Sequence, residues 1–430
     1  MITRRFSGFF WTQFLGAFND NVYKNAIIIY ITFQAQQINS LNPNTLINLG
    51  AGLFILPFFL FSSISGQLSD KFEKSLLIRR IKIAEILIMA LVYIGFMTNS
   101  LSFLFCILFL MGTQSTFFSP VKYSIIPQHL SEEELIGGNA LVEMGTFAAI
   151  LIGTMTGGIL IQSSNGKIVL CLAVFLFAVS GWLTSLTIPE AQPAEPTLDI
   201  KWNPITQTIK TILYAKKDPT IWKCVWAISW FWFLGGAYLT QIPNFTRTCL
   251  GGDESVATMC LTIFSLGIGL GSMFCEKLSN HKVDIGLSVL GAFGLFLFGA
   301  DLAFAYKSKS NEILSLTQFI NTDGSFRVII DFLLISTFGG FYIVPLYAFI
   351  QQKTPFKTRS RVIAANNIIN AFLMVLSSVT GIIVLGLLNF SIPIFFLVLS
   401  VLNIIFFSFL FVYEPLFIKS FKAWIKKEKI

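Results

Sequence analysis

Charge is what this chain has least of. Only 12% of its 430 residues are Asp, Glu, Lys or Arg, against 54% hydrophobic residues, and the mean hydropathy is +0.74. Soluble domains carry about 25% charge, so the soluble globular classes are excluded and a polytopic helical membrane protein is indicated. Histidine is nearly absent: His129 and His281 are the two. The six cysteines stand at 106, 171, 224, 249, 260 and 275 with no C-x-x-C pair, which points to neither a disulfide framework nor a metal site. No G-x4-G-K-[ST] loop occurs, which argues against ATP-driven pumping. No nucleophile–base or metal constellation is visible, so the chain reads as a non-enzyme without a cofactor.

Long apolar runs are what the chain has in excess. Twelve are long enough to cross a bilayer, at 6–33, 45–68, 81–99, 101–119, 137–162, 167–188, 221–245, 255–275, 283–306, 327–350, 362–387 and 392–413. The weakest separation, between the third and fourth, is Asn99-Ser100. Pro120 is read as the end of the fourth span. Twelve spans put both termini on one side. With the N-terminus cytoplasmic, twenty-three of the thirty Lys and Arg fall in cytoplasmic segments and five in the opposite loops, the asymmetry that sets orientation. The net charge of +8 is then explained by topology and attraction to anionic lipid, without nucleic acid.

The longest polar connection, 189–220, contains five prolines and divides the chain into two six-helix halves, 1–188 and 221–413, followed by a basic tail at 414–430. Within the connection, Ile205–Tyr214 is a weakly periodic segment that suits a short interfacial helix. The halves faintly repeat. Pro120, Asn139 and Glu143 in the first correspond to Pro345, Asn366 and Asn370 in the second, with Pro-to-Asn gaps of 19 and 21 residues. Internal repeats with a site at their interface are a common transporter plan.

One apolar run breaks its own rule. The first span carries Gln13, Asn19, Asp20, Asn21, Lys24 and Asn25. At about 100° per residue, Gln13, Asp20 and Lys24 fall within about 40° of one another, with Asn21 beside them. A charge at the bilayer centre costs roughly 2.5–3.5 kcal/mol, so such a stripe faces a bundle interior or a wet cavity. Asp20 and Lys24 are spaced for a local ion pair, acid first. Two readings stand: a pair that neutralises itself and orients the helix, or a stripe that lines a substrate pathway. The fifth span sets Asn139, Glu143, Thr146, Gly153 and Gly157 on one face, polar groups for a cavity and glycines for close packing. Glu143 is a pathway group or a partner for Lys122. Asn366, Asn370, Ser377 and Gly381 share a face of the eleventh span. Lys82 and Glu85 read as a structural pair, Gln241 and Asn244 as headgroup contacts or packing, and Asp301, Arg327 and Asp331 as rim residues.

Between the second and third spans, Gly66-Gln67-Leu68-Ser69-Asp70-Lys71-Phe72-Glu73-Lys74 resembles the G-x-L-x-D-[RK]-x-G-[RK] signature of the major facilitator superfamily, with Glu73 where the second glycine is usual. Three segments narrow the resemblance: Gln13–Asn21, Ser119-Pro120-Val121-Lys122-Tyr123 through Ile126-Pro127 with Gly138–Glu143, and Gly339–Ala348. Together they are similar to the bacterial lysophospholipid transporter family. Where that family places an Arg near the seventh span, this chain reads Leu239-Thr240-Gln241-Ile242-Pro243.

The resemblance implies an all-α major facilitator fold of twelve transmembrane helices in two pseudo-symmetric halves, in the bacterial inner membrane. It implies movement of lysophospholipids, such as lysophosphatidylethanolamine, from the outer to the inner leaflet by alternating access for re-acylation. Gln13, Asp20, Asn21, Lys24, Lys122, Asn139, Glu143, Gln241, Asn366 and Asn370 are then the pathway residues, and Gly66, Asp70, Lys71 and Lys74 the gating residues. The expected partners are the lysophospholipid, membrane lipids and an acyltransferase or acyl-carrier-protein synthetase. Such enzymes are fused to the transporter in some bacteria, but neither His here starts an H-x4-D acyltransferase motif, positions 134 and 286 being Glu and Gly. The basic tail is a free membrane-surface end or the stub of a longer fusion. Two other readings remain open: proton-coupled efflux of a drug or amphipathic solute with Asp20 or Glu143 titrating, and a non-transporting anchor for an acyltransferase.

Overall fold

A computed structural model describes residues 4–33, 43–279, 282–305 and 313–426; His281, Lys307, Lys309, Lys427 and Lys429 lie outside the described residues. Fifteen α-helices are described: α1 (Arg4–Phe33), α2 (Pro43–Lys71), α3 (Lys74–Met97), α4 (Leu101–His129), α5 (Leu135–Gln162), α6 (Gly166–Ser185), α7 (Pro204–Ala215), α8 (Pro219–Phe245), α9 (Glu254–Leu278), α10 (Gly286–Leu302), α11 (Leu316–Ile320), α12 (Ser325–Lys353), α13 (Arg359–Gly381), α14 (Ile392–Tyr413) and α15 (Pro415–Lys426). No strand is present among the described residues beyond one isolated bridge, Gly252 with Leu314. Each expected span coincides with a helix. Eight are long and apolar enough to cross a bilayer by length and composition. α1 is held back by its polar stripe and α3 by Arg80, Lys82 and Glu85.

The fourth span differs from expectation. α4 runs on through Pro120 and Pro127 to His129 instead of stopping at Pro120. Proline is tolerated inside membrane helices, and the turn ahead of Pro120 is tied to α2 by the Ser65 hydroxyl, which donates to the Phe117 carbonyl at 3.1 Å. The tight α3–α4 turn rests on Asn99, which adopts φ 51°, a left-handed conformation that Asn tolerates. Ser100 then caps α4 by accepting from the Phe103 N–H.

The described residues form two compact units, 1–131 with 145–218 and 354–371, and 132–144 with 219–353 and 372–430. In the first, Val22, Tyr23, Ala26, Ile27 and Tyr30 of α1 pack against Met89, Val92 and Phe96 of α3, Leu104 and Leu108 of α4, and Leu170, Val174 and Ala178 of α6. α5 closes on α1 through glycine: a Cβ on Gly153 would meet the Phe18 carbonyl oxygen at 2.5 Å, and one on Gly157 the Val22 carbonyl oxygen at 2.2 Å. The second unit packs α12 against α9 and α10 in the same way. A Cβ on Gly271 would lie 1.9 Å from the Thr337 carbonyl oxygen, and one on Gly291 2.6 Å from the Tyr342 backbone nitrogen. Small residues let backbones approach where lipid offers no hydrophobic drive between helices.

The glutamate that replaces the usual glycine of the signature has a structural task. Glu73 caps α3, its carboxylate accepting from the Ser75 and Leu76 N–H groups at 2.8 and 2.6 Å and from the Ala191 N–H of the central connection at 2.7 Å. Burial pushes this carboxyl up, but the bonds from Ala191, Leu76 and Ser75 together outweigh it and hold it below the usual range.

Two outcomes follow. Gly157→Ala overpacks the α1–α5 contact and lowers stability by about 1–3 kcal/mol, read as a lower unfolding midpoint in detergent. Glu73→Gln lowers the midpoint at neutral pH. Because the folded carboxyl titrates below its unfolded value, the wild-type advantage is present above about pH 4.3 and disappears as pH falls through the folded value; an advantage that grows on acidification overturns the assignment.

Candidate functional site

In the first unit the polar side chains of α1 meet those of α3, α4 and α5. Asp20 is half-buried, and its Oδ2 accepts from the Ser115 hydroxyl at 2.6 Å. The expected Asp20–Lys24 ion pair is not formed among the described residues. The Lys24 ammonium lies over the Phe54 ring, 4.4 Å from its centroid. An i,i+4 spacing permits a pair but does not impose one, and α4 and α2 offer each group a different neighbour. Asn21 donates to the Ala17 carbonyl at 2.7 Å, and Asn25 to the Thr154 carbonyl at 2.7 Å. Gln13 is buried and its Oε1 accepts from Thr146 at 3.2 Å, while Lys122 donates to the same hydroxyl at 3.0 Å.

Behind the stripe lies a hub that the sequence under-read. Glu85 accepts from Lys82 at 2.6 Å, from Gln114 at 3.0 Å and from Asn19 at 3.2 Å. Lys82 and Glu85 are 1% and 2% exposed. Ser115 lies within 3.3 Å of Gln114 and donates to Asp20, so the hub and the stripe are continuous. Gly16 makes this possible, because a Cβ there would fall 2.4 Å from the Lys82 ammonium. The i,i+3 pair is therefore structural, as its spacing suggested, but it also fixes the wall behind Asp20. Gln114 and Ser115, in the polar run Thr113–Thr116 of an apolar span, were the available signal.

The signature loop forms a clasp within the same unit. Asp70 is fully buried. Its Oδ1 accepts from the Ser360 N–H at 3.1 Å and its Oδ2 from the Arg361 guanidinium at 3.0 Å, at the start of α13. Arg361 also binds Glu195 of the central connection at 2.5 Å, and Ser69 donates to Ser360 at 2.9 Å. Gly66 leaves the space, since a Cβ there would lie 2.8 Å from that of Ala364. Lys74 is buried with its ammonium 5.5 Å from the centroid of the Phe356 ring. Lys71 is half-buried at the end of α2. Arg361 and Glu195 were not anticipated; nothing in the order of the residues marks them as partners of Asp70.

The remaining candidates divide. Asn366 is buried, and neither side-chain polar atom has a hydrogen-bond partner among the described residues; the Gln13 Nε2 is likewise unpaired. Asn370 is half-buried one turn further along α13. In the second unit Asn139 and Gln351 exchange amide bonds at 2.7 and 2.9 Å, so Asn139 is engaged with a residue that sequence reasoning passed over. Glu143 is fully buried. Gln241 is half-buried and accepts from Asn244 at 3.5 Å. Arg327 and Asp301 form a part-exposed ion pair at 2.5 Å.

The hub makes a double-substitution forecast. Glu85→Ala leaves the Lys82 ammonium buried without its acid and costs about 3–5 kcal/mol, seen as loss of monodisperse protein or a sharply lower unfolding midpoint. Lys82→Met with Glu85→Leu removes both charges and restores part of that loss. A double variant no more stable than Glu85→Ala argues against the pair as the organising interaction.

The family model described as Major Facilitator Superfamily matches residues 9–378. The chain is 24% identical over 366 residues to the lysophospholipid transporter LplT of Serratia proteamaculans, covering 82% of this chain and 81% of that protein. It is 28% identical over 346 residues to LplT of Cronobacter sakazakii, covering 79% and 78%. Among solved structures it resembles FucP, a major facilitator transporter in the outward conformation, with a TM-score of 0.70 at 14% identity over 95% of this chain and 98% of that one. The proton:xylose symporter XylE gives 0.69 at 12% identity over 95% of each. The family model covers most of the chain, and the fold and the signature loop agree with it: this protein belongs to the Major Facilitator Superfamily and is a multi-pass membrane transporter, not an enzyme.

Proposed function

We propose that this protein moves lysophospholipids, such as lysophosphatidylethanolamine, from the outer to the inner leaflet of the bacterial inner membrane for re-acylation. Both termini are cytoplasmic, and the halves 1–188 and 221–413 alternate access about the polar stripe. The reading is carried by one observation: Asp20 and Lys24, one turn apart and both half-buried, form no ion pair with each other among the described residues. A zwitterionic headgroup offers one charge of each sign, so its ammonium suits Asp20 and its phosphate suits Lys24. The single acyl chain needs apolar surface, and Phe54 supplies some of it beside Lys24. The unpaired amides of Gln13 and Asn366 suit a polar ligand, because a buried donor left unmade costs about 1–3 kcal/mol.

The Asp70–Arg361–Glu195 clasp is the gate in this reading, with Gly66, Lys71 and Lys74 around it. A charge-assisted contact that holds the start of α13 in one state and releases it in the other gives the cycle a two-state element. The downstream partner is an acyltransferase or acyl-carrier-protein synthetase, since a lysophospholipid delivered to the inner leaflet must be re-acylated. The named LplT relatives support the substrate class.

The test is uptake of labelled lysophosphatidylethanolamine into spheroplasts lacking their own transporter. Wild type restores uptake. Asp20→Asn at equal membrane abundance reduces it at least tenfold, because one of the two headgroup charges loses its partner. Full uptake by Asp20→Asn removes the stripe from the mechanism. No uptake by well-inserted wild type, with flux that follows a pH gradient, moves the assignment to proton-coupled export.

A further inference from the structure

The central connection contains an amphipathic helix whose apolar face no described residue covers. Asn203 caps α7 by accepting from the Thr206 N–H at 3.1 Å, and Pro204 sets its first turn. One face is packed: Gln207, Thr211 and Ala215 are buried against α2. The opposite face is Ile205, Ile209 and Leu213, spaced i, i+4, i+8 over an arc of about 80°, and these are 73%, 55% and 56% exposed. Trp202, just ahead of the helix, is 66% exposed. Lys201, Lys210, Lys216 and Lys217 are exposed around this stripe.

Two further observations say what covers it. The first is depth. Thr208 donates to the Phe59 carbonyl at 3.3 Å and lies 3.5 Å from the Ser63 hydroxyl. Both residues are inside the candidate membrane span Leu49–Lys71. At about 1.5 Å per residue, Ser63 lies some 12 Å in from Lys71, so α7 lies beside the end of a membrane span and not beyond it. The second is attachment. The connection is fastened to the signature loop, Gln67 accepting from the Lys201 N–H at 3.0 Å, and to the clasp, the Arg361 guanidinium lying 5.5 Å from the centroid of the Tyr214 ring. The helix is thus held in one register with its stripe turned outward. The basic helix α15 makes the contrast: its Phe417 and Ala423 are buried, the Trp424 indole donates to the Leu278 carbonyl at 2.9 Å, and a Cβ on Gly286 would meet Phe421 backbone at 2.5 Å. α15 spends its apolar face on the protein; α7 does not.

We propose that α7 is a lipid-binding helix, lying in the bilayer surface on the side of the α2–α3 loop, with Trp202, Ile205, Ile209 and Leu213 among the upper acyl carbons and Lys210 and Lys217 on the headgroups of anionic phospholipid. Apolar burial by such a stripe and attraction of its lysines to anionic headgroups add together in this geometry. The surface is separate from the pathway around Asp20 and stands whether or not the transported molecule is a lysophospholipid.

The test uses the full chain in nanodiscs of phosphatidylcholine, alone or mixed with phosphatidylglycerol. Ile209→Cys, with Cys106→Ser and Cys249→Ser to remove the exposed and half-exposed thiols, carries a spin label. Its relaxation by dissolved oxygen is compared with relaxation by a water-soluble nickel chelate. Oxygen is expected to dominate in both membranes, and the ratio to shift further toward oxygen when phosphatidylglycerol is added. Adding Lys210→Gln and Lys217→Gln abolishes that shift and keeps the oxygen preference. Dominance of nickel overturns the placement of α7 in the bilayer. An oxygen preference that ignores phosphatidylglycerol overturns the anionic-lipid assignment, and a shift that survives loss of both lysines overturns their role in it.

Discussion

The buried contact between Lys82 and Glu85 is the interaction on which the first unit depends. Inside a bilayer a polar group has no water to fall back on, so each must find its partner within the protein. Glu85 meets this by accepting from three side chains on three helices, Lys82 of α3, Gln114 of α4 and Asn19 of α1. The arrangement turns a cost into a specification, because only one mutual placement of α1, α3 and α4 satisfies all three bonds. Gly16 belongs to the same arrangement, since a Cβ there would fall 2.4 Å from the ammonium and displace it.

That fixed wall makes the stripe on α1 chemically available. Asp20 is reached through Gln114 and Ser115, so its carboxylate is oriented by a hydroxyl and forms no ion pair among the described residues. Lys24 is turned to an aromatic face, a contact that stabilises a cation without consuming its charge. A transporter must hold its substrate firmly enough to select it and loosely enough to release it. If Asp20 and Lys24 bind the headgroup as proposed, charges that form no ion pair with each other suit that demand better than a closed ion pair.

A second polar arrangement, around Asp70, governs a different part of the unit. There the carboxylate meets a guanidinium and the Ser360 N–H in the first turn of a helix, and the glutamate of the central connection shares the guanidinium. Glu73, which departs from the usual signature, binds the same connection at Ala191. The loop thus holds both the start of α13 and the connection, and the polar segment 189–220 is drawn against the helices it joins. α7 inherits its position from this anchoring, which is why its apolar stripe is presented outward in a fixed direction.

Most of the architecture was legible in the residues. Low charge, twelve apolar runs and the Gly66–Lys74 signature fix a helical major facilitator protein, because the bilayer forces every span to be a long helix and the hydropathy pattern records each one. The polar stripe of α1 was legible for the same reason: Asp20 and Lys24 are conspicuous where everything around them is apolar. The end of α4 was not legible, since proline is a common helix end in soluble proteins while membrane helices carry it through, as α4 does at Pro120 and Pro127. Nor were the partners. Sequence spacing offered Lys24 to Asp20, yet Ser115 on α4 holds the acid and Phe54 on α2 holds the base. Arg361 and Glu195 lie far from Asp70 along the chain. Composition and periodicity determine which face of a helix is polar, because they are properties of one helix; which group satisfies each polar atom is decided only when helices distant in sequence are brought within hydrogen-bonding distance.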